Sequence, residues 1–169
     1  MTQIDLETRI AKLEAVNAIK SLKIRYAMAC DQDYDPELLA PMFAADAVWD
    51  GGDTFGSYHG REKIAAYFGG ISDSIKWAMH YIVGGDITVN DDLRTAQATW
   101  QLWCPVSMLV DGKPEAAVLA AIYEDEYVLE SGEWLFKRMK VNFTLEAKMS
   151  EGWGETRFHL NPPPTVGSL

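Results

Sequence analysis

The sequence predicts an α+β fold, with N-terminal helices packed on one antiparallel sheet. Three observations lead there. An unbroken helical periodicity fills the first part of the chain. From Trp77 onward the pattern changes to runs rich in β-branched and aromatic residues. Short turn clusters, Asn90-Asp91-Asp92, Asp111-Gly112-Lys113-Pro114 and Ser131-Gly132, separate those runs as hairpin connections would. Helices first and a meander afterwards is the order of an α+β domain. The 169 residues suit a single domain over 1–160, followed by an extended tail at 161–169.

In order, Ile10, Leu13, Val16, Ile19 and Leu22 recur every three or four residues, and Ala27 and Cys30 continue the pattern. This spacing predicts a helix over 5–30 with those residues on its buried side. Acids and Pro36 then favour a turn and a short second helix, with Leu38, Leu39, Met42 and Phe43 inward. AVWDGGDTFGSYHG reads as a strand, a Gly-rich turn and a second short strand, and REKIAAYFGGIS as a helix ending at Gly69-Gly70. Four strand runs follow: MHYIVGGDITV, TAQATWQLWCPVSMLV, AAVLAAIYEDEYVLE and EWLFKRMKVNFTLEA. No repeat or internal boundary is visible.

Composition excludes several classes of function. Hydrophobic residues make up 48% of the chain, which separates it from disordered proteins. With 25 acids against 15 bases, the net charge of −10 disfavours nucleic acid and anionic membranes as partners. Seven of the acids fall between Arg25 and Arg61, where there is no Lys or Arg: Asp31, Asp33, Asp35, Glu37, Asp46, Asp50 and Asp53. A solvated loop is the plain reading of such a run. Cys30 and Cys104 sit among apolar residues and suggest buried free thiols in a reducing compartment. No apolar run is long enough to span a membrane, and the N-terminus lacks a signal core. A cytoplasmic location is expected.

The phosphate-cradling glycine loops, the nucleophile elbow and the paired-histidine metal motifs are all missing. No metal site and no cofactor are therefore expected. What stands out is His80, in the apolar setting WAMHYIVGG, and Asp31, at the end of the first helix. Taken singly, His80 reads as a satisfied core histidine and Asp31 as a turn acid. The aromatic residues Trp49, Phe55, Trp77, Trp100, Trp103 and Phe143 are candidates for a pocket wall, although Trp and Phe at alternate strand positions more often belong to the core.

Taken together, YAMACDQDYD, LLAPMFAADAVWDGG, SYHGREKIAAYF, AMHYIVG and GEWLFKR resemble the SnoaL-like, scytalone dehydratase-like branch of the nuclear transport factor 2-like superfamily. The resemblance covers roughly 6–149. It implies helices over a curved sheet enclosing a cone-shaped cavity, as in an α+β barrel. It also implies a cofactor-independent lyase with Asp31 and His80 as a catalytic dyad and Tyr26 as a third catalytic residue. On an ideal helix Tyr26 and Asp31 stand about 140° apart, so the helix end has to bring them together. A neutral imidazole oriented by a carboxylate can accept a proton near neutral pH, and Tyr26, Tyr34 or Tyr58 could donate a hydrogen bond to the leaving group.

Tyr34, Trp49, Phe55, Tyr58, Met79, Trp103, Met139 and Phe143 are the residues expected at the substrate. Met139 stands where dehydrochlorinases of the family carry an Arg near the departing chloride, so hydroxide or a carbon fragment suits better than halide. The substrate class implied is a hydrophobic, hydroxylated aromatic small molecule. Some relatives act so on lignin-derived diaryl compounds and then lose formaldehyde. Two alternatives remain open: a ketosteroid-type isomerase, and a non-catalytic small subunit or ligand-binding module. Relatives form homodimers and homotrimers, so a homo-oligomer is expected.

Overall fold

The structure is a computed structural model that describes residues Asp5–His159; the tail expected at 161–169 lies outside the described residues. Helix α1 (Leu6–Asp31) starts at Asp5, whose carboxylate accepts the Glu7 backbone N–H at 2.6 Å. Its buried residues all lie at or beyond Ala15, among them Ile19, Leu22, Tyr26 and Cys30. Ile10 and Leu13, expected inside, are exposed. The helix is about 39 Å long at 1.5 Å per residue, and its first turns project beyond the core.

Asp35 caps α2 (Pro36–Leu39) through the Glu37 N–H, with Pro36 in the first turn, and one 3-10 turn (Ala40–Met42) leads into β1 (Phe43–Asp50). Leu39 and Phe43 are buried as expected, whereas Leu38 faces solvent. The one-turn α3 (Gly52–Phe55) and β2 (Ser57–His59) follow, then α4 (Arg61–Ile71), which continues through Gly69 and Gly70. The strand region contains β3 (Ile75–Ala78), β4 (Tyr81–Val89), β5 (Thr95–Val110), β6 (Lys113–Glu130) and β7 (Glu133–Lys148). Asp111-Gly112 and Ser131-Gly132 close the two long hairpins as two-residue turns with φ positive at both positions.

The strand order is β2-β1-β7-β6-β5-β3, with β4 also paired to β5. The sheet is mixed, not wholly antiparallel, because β1 runs parallel to β7. The pairing joins strands from the two ends of the chain, which no local pattern specifies, and it escaped the meander reading. Register shifts in β1, β3, β4 and β7 curve the sheet without closing it. One shift falls at Gly84-Gly85, where φ is positive at both and a Cβ on Gly85 would enter the Trp100 ring. No helix among the described residues is long and apolar enough to cross a membrane.

The concave face of the sheet carries the core under α1 and α4. One charge pair is sunk completely within it. Lys23 Nζ donates to Asp125 Oδ2 at 2.8 Å, and both side chains are fully enclosed. Tyr127 donates its hydroxyl to the same oxygen at 2.7 Å and accepts Trp100 Nε1–H at 3.1 Å. The Lys23 ammonium also lies 3.4 Å from the centroid of the Tyr123 ring. Burial pushes the Lys23 pKa down and that of Asp125 up, so desolvation works against both charges and only the pairing and its hydrogen bonds oppose it. Lys23→Met alone strands the Asp125 charge and should cost about 3–5 kcal/mol in urea unfolding. Lys23→Met with Asp125→Asn removes both charges, keeps an acceptor for Tyr127 and should recover most of that loss; a double variant no more stable than the single one would contradict the pairing.

Candidate active site

The site begins where α1 ends. Asp33 and Tyr34 adopt left-handed backbone conformations, with φ of 57° and 56°, so the chain reverses within one turn. This reversal leaves Asp31 at the helix terminus and swings the Tyr34 ring inward, where it is buried and stacks on Phe68 at 6.2 Å.

Facing Asp31 is a gap between two strands. β3 pairs with β5 as far as Ala78↔Val106, and β4 begins at Tyr81↔Trp103. Pro105, which has no N–H to offer, lies in the β5 stretch opposite the gap and accepts Met79 N–H at 3.1 Å. With no strand partner for its amide, His80 turns to the helix. Its backbone N–H reaches Asp31 Oδ1 at 2.9 Å, and its ring Nδ1 reaches the same oxygen at 2.7 Å. The His80 side chain is 9% exposed and that of Asp31 27%. An Nδ1–H donated to Asp31 leaves Nε2 as the free base of the ring. An imidazolium formed there would face both the carboxylate and the carbonyl end of α1.

The His80 ring joins the wall of an internal cavity of about 40 Å³. Tyr26, Tyr34, Trp49, Phe55 and Phe143, all expected near the substrate or in catalysis, line the same space. Tyr34 meets the His80 ring edge-on at 5.9 Å. Phe55 and Phe143 face one another at 5.1 Å. The Tyr26 hydroxyl accepts Trp49 Nε1–H at 3.2 Å and lies against the Cys30 sulfur. Burial holds Tyr26 and Tyr34 well above the usual phenol range, so both stay protonated donors.

The other expected substrate contacts lie elsewhere. Tyr58 is one layer out, stacked on Tyr67 at 4.2 Å. Met79 and Trp103 face outward, Trp103 because alternation along β5 sends Trp100, Leu102 and Cys104 inward in its place. Met139 is fully buried in the core but is not part of the cavity wall, while Arg138 and Lys140 on either side reach the outer surface.

Sequence reasoning missed Tyr67, Phe68 and Ile71 of α4, Leu102 and Leu119 of the sheet, and Tyr123 of β6. Tyr123 had a signal: in AAIYEDEYV the inward positions of the alternation include Tyr123, Asp125 and Tyr127. Cys30 and Cys104 are buried free thiols, and burial pushes Cys104 up to about 12 and Cys30 further, which makes both poor nucleophiles. Among the described residues no group of three or more His, Cys, Asp or Glu side chains is placed to hold a metal ion.

Comparison with known proteins supplies the context. Over 92% of its length the chain superposes on a type 2 hexachlorocyclohexane dehydrochlorinase, covering 98% of that chain with a TM-score of 0.76 and 18% identity. A candidate scytalone dehydratase from Novosphingobium aromaticivorans DSM 12444 is matched over 95% of this chain and 99% of the other, with a TM-score of 0.76 and 20% identity. A type 3 hexachlorocyclohexane dehydrochlorinase from Novosphingobium barchaimii LL02 is matched over 92% and 99%, with a TM-score of 0.75 and 18% identity. No curated protein matches at the sequence level. At these identities the structural matches establish the fold, while the family follows from the sequence itself: residues 11–140 match the SnoaL-like domain, and the chain belongs to that family.

Proposed function

We propose that this protein is a cofactor-independent lyase that eliminates water from a hydrophobic, hydroxylated aromatic small molecule, with His80 as general base and Asp31 as its orienting partner. The observation that carries this reading is the 2.7 Å His80–Asp31 contact at the wall of an aromatic cavity. In the proposed step Nε2 takes a proton from a substrate carbon, and the C–H electrons become the new double bond. The hydroxyl group leaves with the C–O pair and receives a proton from Tyr34 or Tyr26, departing as water. The tyrosine then recovers a proton from the imidazolium, which restores the enzyme. Elimination is also the chemistry named for the structural neighbours.

Two features favour this reading over its rivals. Among the described residues the cavity wall contains no Asp or Glu, which a ketosteroid-type isomerase would need as its base. It contains no Arg or Lys either, which fits hydroxide better than halide as leaving group. Loss of a carbon fragment such as formaldehyde would follow from the same base. The cavity holds only a few waters at about 40 Å³, so it must widen to take a substrate.

The test is a thermal-shift screen of hydroxylated aromatic compounds, where saturation at 100 times Kd adds about 2.7 kcal/mol. Turnover of the hits should fall roughly 10²–10⁴-fold in His80→Ala and fall clearly in Asp31→Asn. Full activity in both variants would remove the dyad.

The outer face of the sheet supports a homo-oligomer. Trp77, Tyr81, Val83, Trp103 and Ile122 are exposed there, and Tyr81 and Trp103 are register partners. Charges of both signs, Glu124 and Lys140, border them and can pair across a two-fold axis. Light scattering should give a dimer or trimer that Trp103→Glu converts to monomer; a wild-type monomer at micromolar concentration would contradict this. Two buried free thiols suit a cytoplasmic setting.

A further inference from the structure

The dyad occupies one end of the cavity, and nothing in the proposed elimination uses the tyrosine toward the other. Tyr123 is buried on the inward face of β6 and lines the cavity. Tyr26 and Tyr127 engage their hydroxyls with Trp49, Trp100 and Asp125. The Tyr123 hydroxyl has no hydrogen-bond partner among the described residues. A buried donor of this kind calls for an acceptor.

Its setting is unusual in a second respect. The Lys23 ammonium, wholly enclosed, lies 3.4 Å from the centre of the Tyr123 ring, nearer than to Tyr26 or Phe136. A desolvated cation on the ring face draws electron density from the π system and strengthens the hydroxyl as a donor. Asp125 balances the cation, so this end of the cavity is strongly polarised without carrying net charge. Tyr26, Tyr34, Tyr67 and Tyr123 all line this one space. Burial raises Tyr123 well above the usual phenol range, so the donor keeps its proton.

Along β5 the two poles are separated. His80 sits level with Cys104, and Tyr123 pairs with Trp100, four residues or roughly 13 Å of strand away. We propose that Tyr123, polarised by Lys23, is an oxygen-binding subsite that takes the carbonyl or phenolate oxygen of a conjugated ligand, opposite the His80 base. Tyr123 is the binding group and Lys23 a positioning residue that acts through it. The inference deepens the elimination reading and rests on it for what happens at His80, but not for binding. It narrows the substrate to an aromatic whose conjugated oxygen gains negative charge as the proton leaves.

The test uses 4-nitrophenol, a single ring whose phenolate is visible by absorbance, with nitrobenzene as the matched probe lacking the oxygen. Wild type should bind 4-nitrophenolate and shift its absorption band. Tyr123→Phe should weaken 4-nitrophenolate about tenfold while leaving nitrobenzene within twofold. The charge-removing variant Lys23→Met with Asp125→Asn should lose part of that preference and part of the band shift. Equal affinity of wild type and Tyr123→Phe for 4-nitrophenolate would overturn the subsite. So would a parallel loss for both probes, or no binding of 4-nitrophenol by the wild type. Failure of the elimination reading is seen separately, as turnover that survives His80→Ala.

Discussion

A single carboxylate oxygen couples the helical layer to the sheet at the proposed active site. Asp31 Oδ1 receives both the amide and the imidazole of His80, and neither bond would exist if β3 ran unbroken into β4. The interruption has a chemical cause, since Pro105 removes an N–H from β5 at the point where the outer strand would continue. An acid at a helix C-terminus is disfavoured by the carbonyl dipoles there. The two donors from His80 offset that cost, and the helix end becomes a fixed point from which the imidazole is aimed.

The remainder of the interior serves the same geometry. α1 is held on the sheet by the enclosed Lys23–Asp125 pair, eight residues before Asp31. That pair is joined through Tyr127 to Trp100, whose ring occupies the space left by Gly85. The helix therefore cannot slide along the sheet without exposing a buried charge, and Asp31 keeps its register against the strand gap. The tyrosines around this network bring hydroxyl groups to a largely apolar cavity that has the His80 ring in its wall.

Much of this was legible in the sequence, and the omissions have physical reasons. The long helix, the hairpin turns and the Asp31–His80 pairing announce themselves through periodicity, positive-φ residues and family order. The acidic, base-free stretch proved to be a set of separate devices: Asp35 caps α2, Asp50 accepts the Gly52 N–H, Asp46 pairs with Lys137, and Asp31 holds His80. Ile10 and Leu13 misled because periodicity shows which face of a helix is apolar, not how far the sheet extends beneath it. Trp103 and Trp100 differ only in alternation phase, and a one-residue change of phase sends a ring to the other face. The parallel β1–β7 pair is a contact between the two ends of the fold, beyond the reach of any local pattern. Lys23 could have been noticed as a cation four residues after Ile19 on the buried side of α1, but only the structure supplies its partner.

The central claim is that Asp31 fixes the His80 ring with Nδ1 protonated and Nε2 free to accept a proton from a ligand. Nitrogen-15 NMR of the His80 side chain in the neutral form measures this directly. The account predicts the Nδ1–H tautomer in the wild-type protein and a mixture of tautomers in Asp31→Ala. A dominant Nε2–H tautomer in the wild type would contradict it, because the nitrogen facing the cavity would then carry a proton and could not act as the base.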